Sequence, residues 1–238
     1  MKYIGSYSAV VYKDEGKIFA RDREGEMIAV GESIVDDVRV IQNAINDVNT
    51  AGGGRVKLNS GTFVIDEPLI LQAKVSLTGE DRGTILQRKA ETDTVMIEFN
   101  TESSFNYQYV GHFKIDGNAA NNASGYAILL GKDRRGNPNF VLFENIEIED
   151  TDGIKFDYGC YWNRFVKVNV RNPVNWAIDM GNDYRIHAVE TYSDAQSKPA
   201  VFFVGRMLKN GYKYKITLEQ TAGTFRSFPY IFIEEIIG

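Results

Sequence analysis

The 238-residue chain holds one cysteine, Cys160, two histidines, His112 and His187, and five prolines. A lone cysteine excludes an internal disulfide framework, and Cys160 is read as a small, apolar or half-exposed residue. Two histidines and one thiol cannot form a zinc site without carboxylates, so no structural metal is expected, and no cofactor. An excess of positive charge is also missing. The 32 acidic and 27 basic residues give a net charge of -5, which excludes an electrostatic footprint for nucleic acid. No stretch approaches the roughly 18 apolar residues that span a bilayer, and MKYIGSYSAVVYKDEG lacks the apolar run of a signal peptide. Membrane insertion is not expected, and a virion, extracellular or cell-surface location would have to be reached without a signal peptide.

What is present is enough apolar material, 43% against 25% charged, to bury a real core. Residues 1–32 read as a β-meander, with YSAVVY, KIFARD and MIAVG separated by Asp14-Glu15-Gly16 and Arg23-Glu24-Gly25-Glu26. Residues 33–54 read as one helix and a glycine-rich turn. Val38, Ile41, Ile45 and Val48 make an apolar face, Ser33 with Asp36 and Asp37 supplies the cap and a negative first turn, and Gly52-Gly53-Gly54 ends the element. Such a helix must cover something apolar.

From residue 55 to 238 the period changes to two, in short runs of Val, Ile, Leu and Phe broken by Gly, Asn and Asp. One series aligns Val75–Gly79, Phe113–Gly117, Ile146–Asp150, Val168–Asn172, Val189–Ser193 and Ile216–Gln220. A second aligns Ile97–Asn100, Ile128–Gly131, Ile154–Asp157, Ile178–Gly181 and Phe202–Gly205. Two series marching in step are what stacked coils require, whereas a sandwich has no reason to keep them so. The fold class is therefore all-β: a parallel β-helix of about six coils, right-handed, with a capping helix and closing strands at the C-terminal end. Polar loops are expected at about 80–94, 100–109 and 117–125.

The segment DDVRVIQNAINDVNTAGGGRVKLNSGTFVIDEPLILQAKVSLTGEDRGTILQ, residues 36–87, resembles the N-terminal part of the pectate-lyase-like superfamily, which includes phage tailspikes and archaeal secreted or viral proteins. Gly61-Thr62-Phe63, Val75-Ser76-Leu77-Thr78-Gly79-Glu80 and Phe113-Lys114-Ile115-Asp116-Gly117-Asn118 carry the likeness. The opening hairpins resemble a preface of archaeal and archaeal-virus members. The resemblance implies the right-handed coil and glycan as the class of ligand.

Glycan-active β-helices place acidic residues, or a basic residue with Ca²⁺, on the outer face of a sheet. Alternation puts Lys155, Asp157 and Asp179 in such an outward column, with Arg164, Asp183, Arg185 and His187 nearby. Asp150-Thr151-Asp152-Gly153 is similar to a polygalacturonase motif, and Gly153-Ile154-Lys155-Phe156-Asp157-Tyr158-Gly159 to one of alginate epimerases and lyases. Both lack the residues that do the chemistry, Gly159 standing where the catalytic His would be. These charges either solvate a coil or, in an enzyme, form a catalytic set of Lys155, Asp157, Asp179 and His187. His112, before an inward strand, is read as a hydrogen-bonded structural residue. Tyr107, Tyr158 and Trp162 could stack on sugars with Arg164, Asp183 and Arg185 beside them, or bury loops. Outward Phe203, and Phe232 in the apolar tail, are expected at an oligomer interface.

The expected role is a non-enzymatic structural or adhesion protein of tailspike type, on a virus or cell surface, homo-oligomeric (a trimer or larger) and able to bind surface polysaccharide. The alternative is a polysaccharide lyase, hydrolase or epimerase on a surface or uronate-containing glycan.

Overall fold

The structure is a computed structural model describing residues 7–99, 105–132, 138–156 and 163–179, with five further strands among residues 187–236. Three antiparallel strands open the chain: β1 (Ala9–Asp14), β2 (Lys17–Asp22) and β3 (Met27–Glu32). Glu15 and Gly16, both at positive φ, make the two-residue turn between β1 and β2, the hand that matches strand twist. β1 also pairs in parallel with β4 (Gly54–Leu58), so the meander extends the large sheet.

The helix α1 (Asp37–Thr50) buries Val38, Val40, Ile41, Ala44, Ile45 and Val48, the apolar face written in the sequence. Its first turn differs from expectation. The N-cap is Asp36, whose side chain makes no capping bond. Asp37 instead turns inward, fully buried, and accepts from Lys13 Nζ at 2.6 Å, Ile34 N at 3.0 Å and Val64 N at 2.7 Å. A buried carboxylate is tolerable only when so compensated. Asp37 thereby ties the helix to β1 and to β5 (Gly61–Ile65). At the other end Gly54, at φ +149, lies where a Cβ would meet Ser8 Oγ at 2.0 Å, so the chain can enter β4 only without a side chain there.

The chain then alternates between two sheets. β6 (Leu69–Leu71), β8 (Ile97–Phe99), β11 (Tyr126–Leu130), β14 (Asp152–Phe156) and β16 (Trp176–Asp179) form one parallel sheet. β7 (Val75–Arg88), β10 (Tyr109–Asp116), β13 (Leu142–Glu149), β15 (Arg164–Arg171) and β17 (His187–Glu190) continue the other from β4, also in parallel. Short β9 (Phe105–Asn106) and β12 (Pro138–Asn139) pair between them. Successive visits to each sheet, each laid beside the last, are the stacked coils of a parallel β-helix.

Each coil of the large sheet is two strands joined at a bend. His112, Asn145 and Lys167, at equivalent positions of β10, β13 and β15, have φ of 59, 52 and 52. One left-handed residue per coil turns the strand and brings both halves over one core. That core stacks like with like: Phe143 lies flat on Phe165 with centroids 4.7 Å apart, Phe99 meets Phe143 at 6.0 Å, and Phe156 meets Phe165 edge-on at 5.6 Å. Each such buried ring contributes roughly 2–3 kcal/mol.

Three sequence expectations are corrected. The polar segment 80–94 includes a strand, since residues 84–88 of β7 pair with β5. The first series mixed the two halves of a coil: Leu77 lies beside Val110, not Ile115, and Val189 beside Phe165, not Val168. Both halves alternate with the same period, so alternation could not tell them apart. Finally, β18 (Ala200–Phe203) joins β17 antiparallel, β19 (Leu208–Lys209) joins β16 antiparallel, and β20 (Lys213–Glu219) pairs, among the described residues, with β21 (Tyr230–Ile236) alone. Phe202 and Ile216 are thus not further coils of either parallel series.

Candidate functional site

The second series holds in register from Ile97 through Ile128 and Ile154 to Ile178, which puts Glu98, Leu129, Lys155 and Asp179 in one outward row. Lys155 is half-buried, with Nζ 5.4 Å from the Tyr126 ring centroid. Asp179 is only 6% exposed and accepts a hydrogen bond from the Tyr126 hydroxyl, so it is a covered carboxylate and not the open one expected from alternation. Burial, and then the Asp179 carboxylate, push the Tyr126 phenol well above its ordinary pKa. Glu98 is paired with Lys132 at 3.0 Å. This row is largely self-satisfied.

Of the other expected site residues, Arg164 is exposed at the start of β15, and Tyr107 is 78% exposed with its ring 5.1 Å from that of Phe140. His187 is the register partner of Phe203 in the β17–β18 pair, and Phe232 that of Thr217 in β20–β21. Asp157, Tyr158, Trp162, Asp183 and Arg185 lie outside the described residues.

A more open arrangement sits on the large sheet, around the left-handed bend. A groove of about 400 Å³ is lined by Arg55, Lys57, Glu80, Tyr109, His112 and Glu144 among others. His112 Nδ1 lies 2.5 Å from Asp81 Oδ1. The carboxylate accepts, which places a proton on Nδ1, so that in the neutral imidazole the lone pair lies on Nε2. Asn145, at the same bend one coil on, also reaches Asp81, at 3.4 Å. The Tyr109 hydroxyl donates to Glu144 Oε2 at 2.9 Å. Burial first, and Glu144 second, hold that phenol protonated far into alkali.

The Arg55 guanidinium stands 5.4 Å from the Tyr109 ring centroid and, among the described residues, has no carboxylate within ion-pair distance. Lys57, by contrast, is paired with Glu80, whose carboxyl Lys57 and Ser60 hold down at about 2. A histidine base oriented by a carboxylate, a phenol donor and an uncommitted guanidinium thus share one groove wall. Sequence reading assigned His112 a structural part; only the bend, which swings it outward beside Asp81, reveals the cluster. Three acidic groups, Asp116, Glu149 and Asp150, also approach one another on the neighbouring strands. They are already engaged: Asp116 by Gln87 and Asn118 N, Glu149 by Lys114, and Asp150 by Asn172.

Fold and groove together define a parallel β-helix with an acid–base cluster on its outer face. Among solved structures, the chain is similar to the A-modules of two Azotobacter vinelandii mannuronan C-5 epimerases, AlgE4 (21% identity, TM-score 0.43, covering 68% of this chain and 51% of that one) and AlgE6 (19%, 0.42, 59% and 52%). It is also similar to a Parabacteroides merdae protein described as a glycosyl hydrolase (13%, 0.44, 66% and 92%). The alignment spans about half the length of the epimerase modules. No family model and no curated protein matches the sequence.

Proposed function

We propose that this chain acts on an acidic polysaccharide by removing the C-5 proton of a uronate residue. The observation that carries the reading is the His112–Asp81 pair beside Tyr109 and Arg55 in one open groove. The proton at C-5 of a uronate is weakly acidic because the adjacent carboxylate can take up the electron pair. Arg55 lowers that barrier by neutralising the carboxylate, and His112 Nε2 accepts the proton while Asp81 stabilises the imidazolium. The pair then closes a C-4 to C-5 double bond as the C-4 to oxygen bond breaks, and Tyr109 gives its proton to the departing oxygen. Return of a proton to the opposite face, without that cleavage, would instead invert C-5. Incubation with a panel of uronate polymers should yield unsaturated or inverted products, lost at least a hundredfold in kcat/KM in His112→Asn and Tyr109→Phe; an inactive native protein across the panel overturns the reading.

The finer architecture belongs to the same proposal: a right-handed coil, the hand parallel crossovers favour, closed at its N-terminal end by α1, which packs on β1 to β7. A second reading, a tailspike-like structural or adhesion protein assembling on a virion or cell surface, is supported by Met27, Val30, Ile34 and Val35, all exposed near the open edge strand β3. Its test is mass photometry: a defined oligomer at nanomolar concentration supports it, and a monomer removes it.

A further inference from the structure

The groove does not end at Tyr109. A second cavity, of about 430 Å³, lies over the outer face of the N-terminal meander and shares Tyr7, Lys57 and Glu80 with the first, so the two adjoin. Its walls include Tyr12 and Arg21. Arg21 is half-buried and held by neutral oxygens alone: Nε donates to the Tyr12 hydroxyl at 2.9 Å and Nη1 to the Gly25 carbonyl at 2.7 Å. Among the described residues it has no carboxylate partner, whereas its neighbour Arg23 is paired with Glu24 at 2.7 Å. Asp22, Glu24 and Glu80 also line the cavity, but Glu24 is paired with Arg23 and Glu80 with Lys57. Arg21 thus keeps donors free of a direct ion pair and a restricted rotamer, and little entropy is lost when an anion arrives. The Tyr12 ring is itself fixed by stacking on Phe19, 5.3 Å away. At the junction Lys57 Nζ stands 5.0 Å from the Tyr7 ring centroid.

We infer that the meander cavity is a second anion subsite, in which Arg21 receives the acidic group of a sugar beyond the one held at Arg55. The meander is then part of the binding surface, and the ligand is a run of acidic sugars laid along the coils. This rests on the proposed uronate chemistry for its catalytic end only; the subsite itself is a binding claim.

The test is titration of oligouronates of increasing length against the whole chain, by calorimetry, beside neutral oligosaccharides and sulfated ones. Affinity should rise with length up to the span of both cavities, and Arg21→Gln should lower it about tenfold for long chains while leaving the shortest unchanged. Arg21→Lys should recover part of that loss, and unchanged thermal unfolding separates it from a folding defect. Sulfated chains binding as tightly as uronates assign the subsite to any anionic sugar; weaker binding assigns it to carboxylates. Long-chain binding without turnover would sink the catalytic reading and keep the subsite. Affinity independent of length, or an Arg21→Gln protein that binds long chains like the native one, would overturn the subsite.

Discussion

The hydroxyl of Tyr126, on β11, donates to the carboxylate of Asp179 on β16, reaching past β14 and joining strands that are not neighbours in their sheet. Lys155, on the strand between, stands over the same ring. The contact crosses two coil interfaces, so it resists their separation in a way that a pairwise ladder bond does not.

Removing that hydroxyl therefore has a stability cost. Tyr126→Phe removes one donor from a covered carboxylate and should destabilise by about 2 kcal/mol, read as a lower urea midpoint with an unchanged slope.

A larger loss is expected at Arg88, which is 1% exposed. It donates to Ser124 O at 2.8 Å, Tyr126 O at 3.3 Å and Thr151 Oγ1 at 2.8 Å, stitching three coils together from inside. Its Nε is buried without a partner, and burial pulls its pKa down. Arg88→Ala should cost about 3 kcal/mol, because three acceptors lose their donor and a cavity opens. Arg88→Met, which fills the space, should recover part of that loss in the same denaturation experiment.

Acid should act through Glu80. Its carboxyl is held at about 2 in the folded chain against an ordinary 4.5, chiefly by Lys57 and Ser60. A depressed carboxyl binds protons more weakly when folded, so its contribution is complete above about pH 4.5 and is lost as pH falls toward 2. The stability gap between the native protein and Glu80→Gln should close over that window and be flat from pH 5 to 7.

Alkali should leave two phenols behind. Burial is the main cause of the raised values at Tyr109 and Tyr126, so both should stay protonated when exposed tyrosines have ionised. Their contribution to stability is present below about pH 10 and lost as pH rises through their raised values. A spectrophotometric titration should show the late fraction shrink in Tyr109→Phe and in Tyr126→Phe.

The coil was legible because buried aliphatics at period two leave no freedom of face: Ile97, Ile128, Ile154 and Ile178 fall in register as aligned. The bend was not, since Lys167 carries no signature of the left-handed region and the mild preference of Asn145 and His112 for it does not stand out as a glycine would. Missing the bend merged two strand series and hid the cluster around His112. Alternation read Asp179 as an open outward carboxylate, and it could not tell that Tyr126 would cover it. Charge in the first helical turn was read as a dipole effect at Asp37, where three inward donors decide its place.

In the proposed reaction His112 is the base that takes the uronate proton. Nuclear magnetic resonance of an oligouronate in deuterium oxide, with catalytic amounts of the chain, follows the C-5 proton directly through either elimination or inversion. Its signal should vanish with the native protein and persist with His112→Asn; a signal that persists in both, or vanishes equally in both, contradicts the assignment.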